Sequence, residues 1–162
     1  MKSMVLVAGL IVVPSAVSQH QESLDAKLHV ADPRLLRLQQ FFEKRDCPLR
    51  EVAADFLVAA DLNALDWRLL PSISFIESSG GKDYRNNNVF GWDTPLQSFS
   101  SVREGIHYVA AKLAQSDLYK NKSLDGKLRT YNPNPAYPYK VKAVMRALGP
   151  SDARCPRPPP LM

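Results

Sequence analysis

Apolar positions recur along most of this chain at intervals of three and four residues, the spacing that gathers them on one side of a helix. Leu35, Leu36, Leu38, Phe41 and Phe42 predict a first helix beginning near Pro33 and ending at Arg45 and Asp46. Pro48 suits the first turn of a second helix, with Val52, Phe56, Leu57 and Ala60 toward the core. Leu69, Ile73 and Ile76 stripe a third, and Phe75 lies on its opposite side, so this helix is apolar nearly all round and is expected to be buried. Asp66 is expected to cap it. Pro71 removes a backbone donor near its start, which predicts a late beginning or a slight kink, and Gly80-Gly81 is a stop signal.

Further along, Ser101-Val102-Arg103-Glu104 reads as a capping box opening a helix to about Gln115, with Val102, Ile106, Val109 and Leu113 as its buried stripe. His107 lies beside that stripe and is read as a structural residue. Ser123 can cap a short helix through Leu124, Leu128 and Arg129, and Val141, Val144 and Met145 mark a last one before Gly149-Pro150. No glycine or β-branched run interrupts the first three of these segments, so the expected fold class is all-α.

The chain ends differ from this pattern. Lys2 followed by the apolar run Met4–Val13, a break at Pro14 and small residues at Ala16-Val17-Ser18 have the form of a secretory signal peptide over residues 1–18. The run is too short to span a bilayer, and nothing else in the chain is long enough, so no membrane span is expected after cleavage. Residues 19–33 read as a linker or poorly ordered arm, residues 34–150 as one helical domain, and residues 151–162 as a proline-rich tail. The 162 residues, 45% of them hydrophobic, suffice for one domain with a sizeable core. The two cysteines, Cys47 and Cys155, permit one disulfide in an exported protein. It would tie the tail to the start of the second helix and contribute on the order of 4 kcal/mol by restricting the unfolded chain.

The net charge is +5. Losing Lys2 with the signal leaves about +4. The basic residues are scattered, with no basic run interleaved with aromatics, so the electrostatic footprint of a nucleic-acid binder is weak and no nucleic-acid partner is expected. For an exported protein the anionic cell wall is the more natural partner. Three scattered histidines and two distant cysteines offer no metal-ligand spacing, and neither cysteine has a base to activate it. No cofactor or metal is expected.

Chemistry concentrates between Leu69 and Trp92, where the sequence runs LLPSISFIESSGGKDYRNNNVFGW. Glu77 sits in the last turn of the buried helix, next to the negative end of the helix dipole. Desolvation and that dipole both disfavour a carboxylate, so both push its pKa upward, as a general acid working near neutrality requires. A solvated glutamate at an ordinary helix end is the commoner case. What weighs against it is the loop that follows. Asn86, Asn87 and Asn88 bring paired donors and acceptors, and Phe90 and Trp92 bring flat apolar faces, a mixture suited to a sugar.

Here the residues carry a resemblance. Glu77-Ser78, Gly80-Gly81 and Asn88-Val89-Phe90-Gly91 resemble the active-site stretch of the bacterial glucosaminidases of the lysozyme-like superfamily, the Bax-type and flagellar-type enzymes of peptidoglycan cleavage. Thr130-Tyr131-Asn132-Pro133, followed by Tyr137 to Met145, resembles that family's tyrosine segment and final helix, so the likeness runs roughly from Val52 to Leu148. It implies a lysozyme-like domain around a central helix ending at Glu77. The implied activity is a glycosidase cutting β-1,4 linkages of N-acetylglucosamine-containing glycan, with Glu77 as acid. Tyr131 would lie in a rigid proline-bounded loop near the scissile bond. Ser78, Asn87, Asn88, Phe90, Gly91, Trp92 and Tyr137 would line the substrate. A secreted or periplasmic monomer acting on peptidoglycan follows.

The second catalytic group stays open at this level. Glycoside hydrolysis ordinarily uses a carboxylate on each side of the bond. Asp83 and Asp93 are nearest in sequence, the substrate's acetamido group could assist, or Glu77 could act alone as in lytic transglycosylases. A catalytically inert glycan-binding module is the remaining alternative.

Overall fold

A computed structural model describes residues 32–93 and 97–152. The signal peptide, most of the linker, Cys155 and the rest of the tail lie outside the described residues. All regular structure among the described residues is helical.

Asp32 opens the first helix, α1 (Pro33–Glu43). It is extended, with its carboxylate accepting from the Arg34 amide at 2.8 Å, and Pro33 occupies the first turn, where its missing donor costs nothing. Residues 32 and 33 therefore belong to the helical domain and not to the linker. Leu35, Leu38, Phe41 and Phe42 are buried as the pattern predicts, whereas Leu36 points out at 58% exposure. Pro48–Val52 form a turn of 3-10 helix, and the α-helix itself, α2 (Ala53–Leu62), begins five residues after Pro48. Val52 is accordingly half-buried, and Phe56, Leu57, Ala59 and Ala60 make the core face.

The third helix, α3 (Leu69–Ser78), is buried over its first six residues. Arg68, not Asp66, occupies its cap position. The Asp66 carboxylate instead accepts from the amide and guanidinium of Arg68, at 3.0, 2.9 and 2.6 Å, closing a turn before the helix starts. Arg68 then donates to the carbonyl of Gly149 at 2.8 Å, joining this end of α3 to the end of the last helix. Pro71 falls in the first turn, so its missing donor removes no helical hydrogen bond.

The helix stops where the glycines predict, but Ser79 takes the left-handed cap position (φ 52°) ahead of Gly80 and Gly81. Gly80 serves a second need. A Cβ there would lie 2.3 Å from Cys47 Sγ, so only glycine lets the chain pass the cysteine. Cys47 is 5% exposed and has no disulfide partner among the described residues, and burial pushes the pKa of its thiol up. Its expected partner is outside the described residues.

Ser101 caps α4 (Val102–Gln115), accepting from the Glu104 amide at 3.1 Å. The return half of the capping box goes one residue further, because the Glu104 carboxylate accepts from the Ser100 amide and hydroxyl at 2.6 Å each. Those bonds lower the Glu104 pKa. Ile106, Val109 and Leu113 are fully buried. Ser123 caps α5 (Leu124–Tyr131), and Asn134 accepts from the Ala136 amide just before α6 (Tyr137–Leu148).

The central α3 packs on α6 and α2. On the outside, α4 covers α2, α1 lies across α2 and α6, and α5 rests on α6. A file of rings links these layers, Phe41 to Phe42 to Phe56 to Phe90, with centroids 5.7, 6.0 and 6.3 Å apart. Each fully buried side chain of this size contributes about 1.5–3 kcal/mol. The result is a scaffold in which α3 is held between α2 and α6.

Candidate functional site

Glu77 is half-buried one residue before the end of α3. Its carboxyl does not stand in open solvent. Oε1 is sealed from water and has no hydrogen-bond partner, an unusual state for a polar atom, since buried acceptors are nearly always satisfied. Oε2 faces Gly91, where an added Cβ would lie 3.4 Å from it.

Two tyrosines, Tyr131 and Tyr137, lie beside this group, and Tyr119 lies next to them. Burial holds Tyr131 well above the ordinary phenol value, and the Glu77 charge adds to it. Burial likewise raises Tyr137, with the adjacent Glu77 carboxylate next in importance. The Tyr137 hydroxyl lies beside the Glu77 carboxyl, and interaction with it adds to the rise, although neither that hydroxyl nor Glu77 Oε1 makes a hydrogen bond of full geometry. Tyr119 contributes to both shifts and is itself raised by burial. All three phenols therefore stay neutral wherever a glycosidase would work.

Trp92 completes the group. Its ring lies 5.6 Å from Tyr131 and 5.8 Å from Tyr119, and Tyr131 stacks on Tyr137 at 5.9 Å with the rings 5° from parallel. Beside them a cleft of about 210 Å³ is lined by Gly91, Trp92, Asp93, Leu118, Tyr119 and Tyr131. Gly91 and Tyr131 put Glu77 directly behind its wall.

The residues expected at the site divide into two groups. Gly91, Trp92 and Tyr131 line the cleft with Glu77 behind it. Tyr137 is beside Glu77 but buried. Tyr131 is not in an irregular loop: it is the last residue of α5, and only Asn132, directly before Pro133, turns extended. Its hydroxyl donates to the Phe90 carbonyl at 2.5 Å, holding the Phe90-Gly91 backbone over Glu77.

The other expected contacts are structural. Ser78 is buried, donates to the Ser74 carbonyl at 2.7 Å and accepts from the Gly81 amide at 3.0 Å. The Phe90 ring is fully buried against Phe56 and cannot present a face to a sugar. The Asn87 amide donates to the Phe99 carbonyl at 2.9 Å. Asn88 accepts from the Trp92 amide at 3.0 Å and donates to the Trp92 carbonyl at 3.1 Å. Asn86 and Asn87 are both left-handed, at φ 55° and 56°. The asparagine loop thus sets Trp92 in place; its amides are engaged with backbone.

Of the two aspartates weighed as a second acid, Asp93 lines the cleft, while Asp83 is exposed elsewhere on the loop. Tyr119 and Leu118 were not anticipated. They follow α4 in Ser116-Asp117-Leu118-Tyr119, which carries no periodic or motif signal, and only the packing of that turn against Trp92 brings them to the cleft.

A larger concavity, about 670 Å³, lies at the opposite end of α3, roughly 15 Å from Glu77 by the helical rise. Most of its charges are already paired: Arg34 with Asp32 and Asp61, Asp66 with Arg68. Size alone does not make it the chemical centre. Among the described residues no group of histidine, cysteine and acidic side chains could hold a metal ion, and no helix is long and apolar enough to cross a membrane. No family model, curated protein or solved structure matches the chain.

Proposed function

We propose that this protein cleaves the β-1,4 glycosidic bonds of an amino-sugar glycan, peptidoglycan being the natural candidate, with Glu77 as general acid in a lysozyme-like helical domain. The observation that carries the reading is the Glu77 carboxyl, buried at Oε1 without a partner and set behind an aromatic-lined cleft of about 210 Å³. The neutral phenols of Tyr131 and Tyr137 beside the carboxyl support the reading.

In the proposed step the protonated carboxyl gives its hydrogen to the glycosidic oxygen. The bond from that oxygen to the anomeric carbon breaks, its electron pair leaves with the oxygen, and positive charge develops on the sugar ring. Glu77, now a carboxylate, offsets that charge. Trp92 offers the ring an apolar face. Asp93, lining the same cleft, is the better placed of the two aspartates to activate a water on the departing sugar's partner, which favours hydrolysis over single-acid transglycosylation. Export, expected from residues 1–18, would bring the domain to its substrate.

The test is Glu77→Gln on purified peptidoglycan, with products analysed by mass spectrometry. General acid catalysis contributes about 10²–10⁴-fold, so the variant should lose at least a hundredfold in rate while still folding and binding glycan. New reducing ends from the wild type indicate hydrolysis, and anhydro ends indicate transglycosylation. Activity retained by Glu77→Gln would remove Glu77 from the acid role. Glycan binding without product from the wild type would identify an inert binding module.

A further inference from the structure

The three phenols of the cluster beside the cleft differ in what their hydroxyls are free to do. Tyr131 gives its hydrogen to the Phe90 carbonyl. Tyr137 is sealed from water against Glu77. Tyr119 is buried overall, at 5% exposure, but it lines the cleft, and among the described residues its hydroxyl is neither bonded like the first nor sealed like the second. We propose that Tyr119 is a specificity-determining residue, its hydroxyl donating to an acceptor oxygen of the sugar that lies against Trp92. This rests on the reading of the cleft as a glycan site and deepens it.

Two further features support the assignment. The Tyr119 ring is tilted 40° against Trp92 at 5.8 Å, so its hydroxyl and the indole face bound one space, a polar edge beside an apolar wall. An N-acetylated sugar presents the matching pair, an apolar ring face rimmed by hydroxyl and acetamido oxygens. The residue is also held unusually firmly for one in a short connection. Its amide donates to the Ser116 carbonyl, and its own carbonyl accepts from the Lys122 amide at 3.0 Å and from Lys127 Nζ at 2.7 Å. The same ammonium reaches the Leu113 carbonyl at the end of α4, and burial lowers its pKa. Among the described residues Lys127 pairs with no carboxylate; it ties α5 to the turn that carries Tyr119. We assign it as a positioning residue for that turn.

The test uses tetra-N-acetylchitotetraose as probe, titrated calorimetrically into the Glu77→Gln protein so that no turnover intrudes, and peptidoglycan turnover by the otherwise wild-type chain. Losing one neutral hydrogen bond weakens binding by about three- to tenfold. Tyr119→Phe should therefore raise Kd by that factor and leave kcat within about twofold and the thermal midpoint unchanged. Lys127→Met should weaken binding similarly, and combining it with Tyr119→Phe should add little. An unchanged Kd in Tyr119→Phe overturns the assignment, as does a large loss in kcat at unchanged Kd. Additive losses return Lys127 to a purely structural role. If the wild type cleaves no glycan and the Glu77→Gln protein binds none, the reading of the cleft itself fails and the inference falls with it. Cleavage and binding that ignore Tyr119 defeat the inference alone.

Discussion

Gly91→Ala separates the chemistry proposed for Glu77 from the stability of the loop that covers it. Gly91 is exposed and left-handed, at φ 56°. An alanine can adopt that backbone at roughly 1–2 kcal/mol. The added methyl meets no protein wall. Its nearest neighbour would be Glu77 Oε2, at 3.4 Å, an ordinary contact distance, so overpacking adds nothing to the backbone term. The cost to folding should thus be about 1–2 kcal/mol, read as a shift of the denaturation midpoint at unchanged slope. The consequence for catalysis is far larger if Oε2 is the edge that reaches the glycosidic oxygen. The methyl would occupy the space through which the proton passes, and an ångström of displacement at such a point can cost about a hundredfold. The expected result is a loss of at least tenfold in kcat at a temperature where more than nine-tenths of the protein is folded. Glycan release assays run beside urea titrations of the same preparation provide both numbers. If activity falls only in proportion to the folded fraction, the Gly91 side of the carboxyl is not the catalytic edge, and the proposed path of the proton is wrong.

The other predictions are shorter. Tyr131→Phe removes the bond to the Phe90 carbonyl and should destabilise the fold by about 1–3 kcal/mol; it should also lower kcat more than it raises KM, because Gly91 loses its support over Glu77. An unchanged rate would leave Tyr131 with a packing role only. Alkaline pH should unfold the protein through its buried phenols. Tyr119, Tyr131 and Tyr137 have folded pKa values above the ordinary value near 10, so at high pH the folded chain binds more protons than the unfolded one. Their contribution to stability is complete below pH 10 and is lost as pH rises above it. Absorbance at the phenolate band should show these three titrating together with unfolding; reversible ionisation of all the tyrosines in a folded chain would contradict their burial.

Helical periodicity, end signals and the acidic residue at the end of an all-apolar helix could be read from the chain alone, because each depends on neighbours within a few positions. The six helices, the Ser101 and Ser123 caps, and the stop after Ser78 belong to this class. Where two local rules competed, tertiary contacts decided. Asp66 looked like a cap, but its carboxylate is closed on Arg68, whose other arm reaches Gly149 eighty-one residues away. Phe90 looked like a sugar platform, yet its ring completes the core with Phe56, since burying an aromatic face there outweighs exposing it. The asparagine amides looked like substrate ligands, and they instead satisfy the backbone of a loop with two successive left-handed residues.

Composition and spacing, then, established an all-α chain with one acid in a desolvated setting, for the physical reason that helix periodicity and capping are short-range. Which side chains meet that acid was a long-range matter. The gathering of Tyr119, Tyr131, Tyr137 and Trp92 from four separate segments, and the choice of Asp93 over Asp83 at the cleft, follow from how α3 is clasped by α2 and α6 and how the turn after α4 folds back over Trp92. No periodicity encodes that arrangement, because it is set by packing between residues far apart in the chain.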